Sequence, residues 1–377
     1  MAHAVDVQAV STEAKEGDNL ETQKKKGYKM QYQRFRTPGS PLMDLKLGKS
    51  GLKISRIILG CMSFGSPTWS GSPWVLDSST ALPLLKAAYD AGINTWDTAN
   101  TYSNGESETI IGAALKEYAI PRSRVVIMTK VYYPVMEGTD ERPYPAINDG
   151  QLVNQMGLSR KHIFDAVEGS LRRLGCEYID VLQVHRLDRE TSPEEIMRAL
   201  HDLVVLGKVR YLGASSMKTW EFARLQYTAR MHGWTEFVSM QGLYNLLYRE
   251  EEREMNPFCE AEGVGLVPWS PLARGLLCRP VDVESERSVM DGKSKKWFQG
   301  RRDKEIIAVV ERIAQRKSVS MSAVATAWIL AKGCAPILGL GSRERIEGVG
   351  EAFEVVFTGD EMIELEELYE PLRPIDT

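Results

Sequence analysis

From Met43 onward, short runs rich in β-branched residues alternate with longer segments whose apolar residues recur every three or four positions. Eight of the short runs predict strands, at residues 57–63, 94–99, 124–131, 179–185, 209–216, 237–245, 265–272 and 335–341. The segments between them have the amphipathic period of helices, and several end at a glycine such as Gly175 or Gly333. This alternation predicts repeated βα units around a parallel sheet.

Eight such units favour one architecture, a (β/α)₈ TIM barrel of the α/β class. A doubly wound sheet has fewer strands and a glycine fingerprint after its first strand, and no GxGxxG stands there. Before the first predicted strand, MDLKL and LKISRI flank Gly48 and Gly51 and predict a β-hairpin. We therefore expect a single barrel domain over residues 43–377, with its functional residues at the carboxyl ends of the strands.

Three segments depart from the regular spacing. Residues 1–42 are polar and lack the apolar core of a secretory signal, which predicts a disordered N-terminal extension or, alternatively, a docking or targeting arm. The connections after the third and seventh strands are long, and long loops on that face of a barrel commonly form or cover a pocket. Their aromatic residues favour a pocket over surface decoration: Tyr132, Tyr133, Tyr144, Trp297 and Phe298.

The composition of the chain argues against several classes of function. The 377 residues carry a formal net charge of −4, which gives no general attraction to nucleic acid or to anionic membranes. No apolar run approaches the roughly 20 residues of a membrane helix. The five cysteines are widely spaced without a CxxC pair, which favours a reducing compartment and a cytoplasmic location. The five histidines form neither HxH nor HExxH, so no metal site is expected.

Four titratable residues stand where consecutive predicted strands end. Asp97 ends the second strand, Tyr102 lies in the loop after it, Lys130 ends the third strand and His185 the fourth. Each alone is most simply a packed or hydrogen-bonded structural residue. A barrel nevertheless brings these strand ends side by side, and a lysine buried there would be costly without a partner. The four residues therefore predict one cluster.

The chemistry of this cluster suits proton transfer to a carbonyl oxygen. A phenol has a reference pKa of about 10, and a nearby ammonium favours its ionised form. Asp97 would keep Lys130 in place and charged, while His185 could bind the same carbonyl oxygen as Tyr102 and orient it. Tyr102 is thus a candidate general acid.

Two stretches carry a resemblance to a known family. GINTWDTANTYSNGESETIIG and IDVLQVHRLD resemble motifs of the aldo-keto reductases, and the resemblance extends from about Leu45 to Leu372. It implies a barrel that reduces a small carbonyl compound with a nicotinamide cofactor, aromatic aldehydes being among the candidates. It also implies that Tyr102 is the proton donor, Lys130 and His185 its modulators, and Asp97 the partner of Lys130.

The resemblance further implies cofactor contacts at the ends of later strands. LGASS and SMQGLYN would supply the contacts to the nicotinamide carboxamide, although the family usually has Asn at position 216. VPWSPLARG would supply a stacking indole and a loop along the pyrophosphate. The implied residues are Ser215, Ser216, Gln241, Trp269, Ser270, Leu272 and Gly275.

A final stretch bears on the choice of nucleotide. PILGLGSRERIEG resembles the segment that holds the adenosine 2′-phosphate, which implies Gly339, Gly341 and Arg345 as cofactor contacts. A guanidinium suits a phosphate dianion, so NADP(H) is preferred over NAD(H). The chain departs from many members at Gly339 and Leu340, where Lys or Ser is common, and at Gly348, which replaces an acidic residue.

Two alternatives stay open at this point. The same resemblance includes potassium-channel β subunits, so a cofactor-binding regulatory subunit is the second hypothesis, with residues 1–42 as its docking arm. A barrel hydrolase or lyase without a nicotinamide is the third, and it would need a carboxylate pair or a metal at the rim.

Overall fold

The computed structural model describes residues 45–69, 72–138, 148–283, 297–298 and 300–375. The predicted N-terminal extension and Tyr144 lie outside these residues, as do parts of both long loops.

A sheet of eight parallel strands forms the centre of the described structure, preceded by a two-stranded antiparallel hairpin. The hairpin consists of β1 (Leu45–Lys46) and β2 (Lys53–Ile54). The strands of the sheet are β3 (Ile58–Gly60), β4 (Thr95–Asp97), β5 (Val126–Val131), β6 (Ile179–Val184), β7 (Val209–Ser215), β8 (Phe237–Gln241), β9 (Gly265–Leu266) and β10 (Ile337–Leu338). The predicted hairpin and all eight predicted strands are confirmed.

The sheet closes on itself. Its strands pair in chain order from β3 to β9, and β10 pairs with β3. Between β10 and β9, the Ala335 amide donates to the Leu266 carbonyl at 2.9 Å and the Ile337 amide to the Pro268 carbonyl at 3.0 Å. The predicted (β/α)₈ barrel is therefore confirmed.

Several strands are shorter than predicted. The prediction of strand over 242–245 and 267–272 is wrong, because the chain leaves the sheet after β8 and β9. There Leu243 and Trp269 form an isolated bridge, and Ser270 takes a φ of 52° that no strand contains. The residues predicted to bind a cofactor at these positions consequently lie on loops above the barrel.

Helices follow the strands and cover the sheet. Their bounds are α1 (Ser78–Asp90), α2 (Glu106–Glu117), α3 (Arg160–Leu174), α4 (Pro193–Val205), α5 (Thr219–Met231), α6 (Met255–Glu262), α7 (Asp303–Lys317), α8 (Met321–Ala331), α9 (Arg343–Gly348) and α10 (Gly359–Glu366). Helix α3 shows why they begin and end where they do. The Ser159 hydroxyl accepts the His162 amide at its start, and Gly175 ends it with a φ of 61°.

The apolar period before β10 runs unbroken through DKEIIAVVERIAQRKSVSMSAVATAWILAKG and predicts a continuous helical segment, but the structure has two helices there. The chain breaks between α7 and α8 at Ser318, which has a φ of 54°. Ser320 then caps α8 by accepting the Ala323 amide at 3.1 Å. Serine side chains compete for backbone hydrogen bonds, which explains why an apolar period that runs through this stretch does not keep it helical.

The hairpin closes the amino-terminal end of the barrel. Leu47 and Ile54 are buried against apolar side chains from the strand starts, among them Ile58 and Val126. At the turn, the Lys49 amide donates to the Gly263 carbonyl at 2.7 Å. The barrel is thus apolar and plugged at this end, which leaves the carboxyl end for polar groups.

The hairpin turn provides a test of this plug. A Cβ on Gly48, whose φ is 57°, would lie 2.3 Å from the Gly263 carbonyl oxygen, whereas a Cβ on Gly51 would meet nothing within 4 Å. We expect Gly48→Ala to lower the free energy of unfolding by roughly 2 kcal/mol or more, because overlap with backbone adds to left-handed strain. Gly51→Ala is the matched control, with a change within about 0.5 kcal/mol. Urea denaturation measures both, and equal values for the two variants would contradict the plug.

Candidate active site

The structure brings Asp97, Tyr102, Lys130 and His185 together at the carboxyl end of the barrel. Asp97 is the last residue of β4, Lys130 lies near the end of β5, and His185 directly follows β6. Tyr102 opens a short 3₁₀ turn (Tyr102–Gly105) between β4 and α2. The exposed fractions of Lys130 and Asp97 are only 1% and 3%. All four come from adjacent elements because parallel strands end on one face.

Lys130 is the centre of this cluster. Its Nζ donates to Asp97 Oδ2 at 2.6 Å, to the Thr98 carbonyl at 2.8 Å and to Tyr102 Oη at 3.3 Å. An ammonium has three protons to donate, so all three are used. The Tyr102 oxygen accepts from Lys130, which leaves the phenol proton free to be donated elsewhere.

Asp97 is held by two amides as well as by Lys130. Gln183 Nε2 and Gln241 Nε2 both donate to its Oδ1 at 2.9 Å, and Gln241 also donates to Gln183 Oε1 at 2.8 Å. The sequence analysis missed Gln183. A signal was present, since residues two apart on a strand face the same side and Gln183 precedes His185 by two. The buried carboxylate is thus supported from β5, β6 and β8.

The electrostatics of the cluster keep Lys130 and Tyr102 protonated. Burial lowers the pKa of Lys130, but the charge of Asp97 and the hydrogen bonds outweigh it, so the pKa is raised above its ordinary value. Burial raises the pKa of Tyr102, and although the Lys130 charge opposes this, the net direction is upward. The Lys130 ammonium thus favours the phenolate, as expected, but desolvation of the buried phenol has the larger effect, so Tyr102 keeps its proton in the resting site.

His185 is buried beside the phenol. Its ring lies edge-on to Tyr102, with centroids 5.8 Å apart. Burial, helped by the positive charges of Arg186 and Lys130, lowers the pKa of His185 well below its ordinary value. Its Nδ1 has no hydrogen-bond partner within the described part of the chain. The imidazole is accordingly neutral near pH 7 and able to donate a hydrogen bond.

Aromatic rings surround Tyr102 and His185. Trp69 lies at a centroid distance of 6.4 Å from Tyr102, and Tyr133 at 5.3 Å from His185. Of the loop aromatics singled out in the sequence, Tyr133 thus faces the cluster, whereas Phe298 is buried in the apolar core beside α7 and α8. Trp69 was missed although a signal was present, since it lies in a polar loop, GSPTWSGSP, directly after the first predicted strand.

The ends of β7 and β8 bring three polar side chains beside an indole. Ser215 Oγ donates to the Gln241 carbonyl at 2.9 Å, and the Trp269 indole N–H donates to Ser216 Oγ at 3.1 Å. Trp297, from the long loop after β9, lies edge-on to Trp269 at 5.6 Å. Gln241 is thus shared between this group and the Asp97 network.

The loop after β9 has an unusual backbone. Ser270 and Gly275 have φ values of 52° and 97°, and Leu272 lies between them. Asn245, missed in the sequence, is fully buried and donates from Nδ2 to the Ser270 carbonyl at 3.0 Å. This bond ties the start of the loop to the segment after β8.

The remaining predicted contacts follow β10. A Cβ placed on Gly339 would meet nothing within 4 Å, whereas one on Gly341 would lie 3.6 Å from Leu76 and 3.9 Å from Arg345 Nη1. Arg345 is exposed on α9, and no carboxylate among the described residues pairs with its guanidinium. Its neighbour Arg343 instead pairs with Glu347 at 2.8 Å.

Two general features accompany this site. Within residues 45–375, as far as they are described, no three His, Cys, Asp or Glu side chains gather as metal ligands would. Over the same residues, no helix has the length and hydrophobicity needed to cross a membrane.

Comparison with known proteins identifies the family of the chain. The model of the aldo/keto reductase family matches residues 56–370. A versiconal hemiacetal acetate reductase of Aspergillus parasiticus is 51% identical over 337 residues, covering 86% of this chain and 96% of the relative. An aryl-alcohol dehydrogenase-like protein of Schizosaccharomyces pombe is 50% identical over 88% of this chain and 97% of its own length. An aldo-keto reductase of Alternaria alternata is 49% identical, at 87% and 92% coverage.

The chain belongs to the aldo/keto reductase family, a family of oxidoreductases that use nicotinamide nucleotides. The expected family is confirmed.

The Lys130–Asp97 pair can be tested by stability. Lys130→Met would leave a buried carboxylate without its cation, so we expect the free energy of unfolding to fall by roughly 3–5 kcal/mol. Adding Asp97→Asn removes that charge and should restore much of the loss. Urea denaturation of the two single variants and the double variant measures the coupling. Strictly additive effects would show that the two groups do not depend on each other.

Proposed function

We propose that the protein is an NADP(H)-dependent reductase of aldehydes or ketones, with Tyr102 as the general acid. One contact carries the proposal: the Lys130 ammonium donates to the Tyr102 hydroxyl at 3.3 Å inside the barrel mouth. That contact leaves the phenol proton for a carbonyl oxygen and places a positive charge where the phenolate would form.

The proposed roles of the four residues follow from their contacts. Tyr102 holds the proton in the resting site because burial raises its pKa. Lys130 stabilises the phenolate as the proton leaves, and Asp97 keeps Lys130 in position through their 2.6 Å ion pair. His185, neutral and edge-on to Tyr102, would donate to the same carbonyl oxygen and orient it. The nicotinamide, when bound, supplies the hydride.

The residues around the rim fit a nicotinamide nucleotide. Ser215, Ser216 and Gln241 provide the hydroxyl and amide groups that recognise a carboxamide, and Trp269 offers an indole held by its bond to Ser216. Ser270, Leu272 and Gly275 would line the pyrophosphate. Gly339, Gly341 and Arg345 would hold the adenosine end.

The preference for NADP(H) rests on Arg345. Its guanidinium has no partner among the described residues, so its donors are available to a 2′-phosphate.

The substrate class rests on the aromatic surroundings and on the relatives. Trp69 and Tyr133 flank the Tyr102 and His185 rings, which suits a flat carbonyl compound. Relatives of about 50% identity are named for reduction of a hemiacetal ester and for aryl alcohols. We therefore propose an aromatic carbonyl substrate. The regulatory-subunit alternative gains no support from these names, and the cytoplasmic location stays a prediction.

The acid role of Tyr102 has a direct test. Tyr102→Phe keeps the ring and removes the proton, so we expect kcat for benzaldehyde reduction with NADPH to fall by roughly 100-fold to 10,000-fold. Binding of NADPH, followed by fluorescence, should change little. Tyr118→Phe, on the outer surface at the end of α2, is the matched control and should keep full activity. Undiminished turnover by Tyr102→Phe would refute the role.

The preference for NADPH over NADH can be tested by substituting two arginines of α9. Arg345→Ala should raise KM for NADPH about tenfold or more and leave KM for NADH within about twofold, because only NADPH carries the 2′-phosphate. Arg343→Ala removes an equal charge that is already paired with Glu347 and should alter neither constant. Steady-state kinetics with both nucleotides decides, and an equal effect of the two variants would argue against a phosphate contact.

A further inference from the structure

A second cation lies at the mouth of the site, at Arg186. This residue directly follows His185, and its side chain is half-buried. Its Nη1 donates to the His185 carbonyl, which holds the guanidinium close to the site. Its Nε is buried yet has no hydrogen-bond partner within the described part of the chain. A guanidinium carries five N–H donors, so part of this one's capacity stays unused.

The charge of Arg186 also has no counterion within the described part of the chain. Two other cations of the barrel show the contrast, because buried Lys130 pairs with Asp97 at 2.6 Å and half-buried Arg122 pairs with Asp180 at 2.5 Å. No carboxylate among the described residues lies within ion-pair distance of Arg186. A half-buried cation without a counterion is costly, and an anion delivered by a ligand would relieve that cost.

The position of Arg186 relates this charge to the carbonyl site. Burial raises the pKa of Tyr102 and of Tyr133, and the Arg186 charge opposes the rise at both hydroxyls. The same charge acts on His185, whose ring lies 5.3 Å from that of Tyr133. The guanidinium, held at the His185 carbonyl, therefore acts electrostatically on both groups proposed to hold the carbonyl oxygen.

We propose that Arg186, with the Tyr133 hydroxyl beside it, forms a subsite for a carboxylate of the substrate. The preferred substrates are then aromatic carbonyl compounds that carry a carboxylate. This inference rests on the proposed function, whose carbonyl site it extends. One guanidinium balances one negative charge, and its planar fork matches the two oxygens of a carboxylate. The rings of Trp69 and Tyr133 leave the rest of the molecule in apolar surroundings.

The test compares two aldehydes of nearly the same shape, 4-formylbenzoate and its methyl ester, with NADPH at pH 7. For the wild-type protein, we expect kcat/KM to be at least about tenfold higher for the carboxylate. Arg186→Gln should lower kcat/KM for the carboxylate at least about tenfold, mainly through KM, and bring the two aldehydes within about threefold. Arg186→Lys, which keeps the charge without the fork, should retain part of the preference.

A matched control and a second measurement complete the design. Arg210→Gln removes an exposed arginine near the start of β7, at the opposite end of the barrel, and should leave the preference unchanged. If Arg186→Gln does not fold, inhibition of ester reduction by the wild-type protein replaces it. Benzoate should then inhibit at least about tenfold more strongly than benzamide.

The outcomes separate the subsite from the proposed function. Equal losses for both aldehydes in Arg186→Gln would overturn the subsite and leave Arg186 as a residue that only adjusts Tyr102 and His185. Ester reduction by the wild-type protein without any preference for the carboxylate, or equal inhibition by benzoate and benzamide, would also overturn it while leaving the reductase standing. Reduction of neither aldehyde would contradict the proposed reductase itself.

Discussion

The buried ion pair between Lys130 and Asp97 is the interaction on which the rest of the site depends. Neither charge could remain inside the barrel alone, since burial of an unpaired ion costs several kcal/mol. The structure offsets that cost by giving every lysine proton an acceptor and by adding two amide donors to the carboxylate. The tyrosine hydroxyl is the third of those acceptors. The hydroxyl of Tyr102, the proposed acid, is therefore positioned by the third hydrogen bond that Lys130 donates.

The barrel separates this polar network from the part of the chain that provides stability. At the amino end, the hairpin fills the interior with apolar side chains and packs its backbone on Gly263 and Gly265. At the carboxyl end, buried atoms such as His185 Nδ1 and Arg186 Nε lack partners among the described residues. A chain tolerates such atoms where a ligand can satisfy them, and the plugged end supplies the stability that the open end gives up.

Hydrophobic period and strand order made most of the fold predictable from the sequence. The eight strands and the hairpin follow from the hydrophobic pattern and its turn residues. The gathering of Asp97, Lys130 and His185 follows from the rule that parallel strands of a barrel end on the same face. The lengths of the strands could not be predicted from the sequence. They depend on tertiary hydrogen bonds such as that from the Trp269 amide to the Gly242 carbonyl. The break at Ser318 was hidden by an apolar period that continues through it.

The side chains that support the site were harder to predict than those within it. Gln183 and Asn245 each donate a hydrogen bond to an atom far away in the sequence, and their residue types carry no catalytic signal. The net direction of the pKa shift of Tyr102 was also not predictable from its neighbours. A sequence shows that an ammonium is near, but only the structure shows how completely the phenol is removed from water, and here that desolvation is the larger effect.

Lys130 and Arg186, the two cations of the site, have different roles. A carboxylate bound at Arg186 would weaken the positive field that Arg186 exerts on Tyr102 and so raise the energy of the phenolate. The arrangement tolerates this because the influence of Lys130 on the Tyr102 pKa exceeds that of Arg186. Lys130 is also tied to Asp97, so a substrate anion would have no free lysine proton to bind. Lys130 can therefore stabilise the phenolate of Tyr102 while Arg186 binds the carboxylate of the substrate.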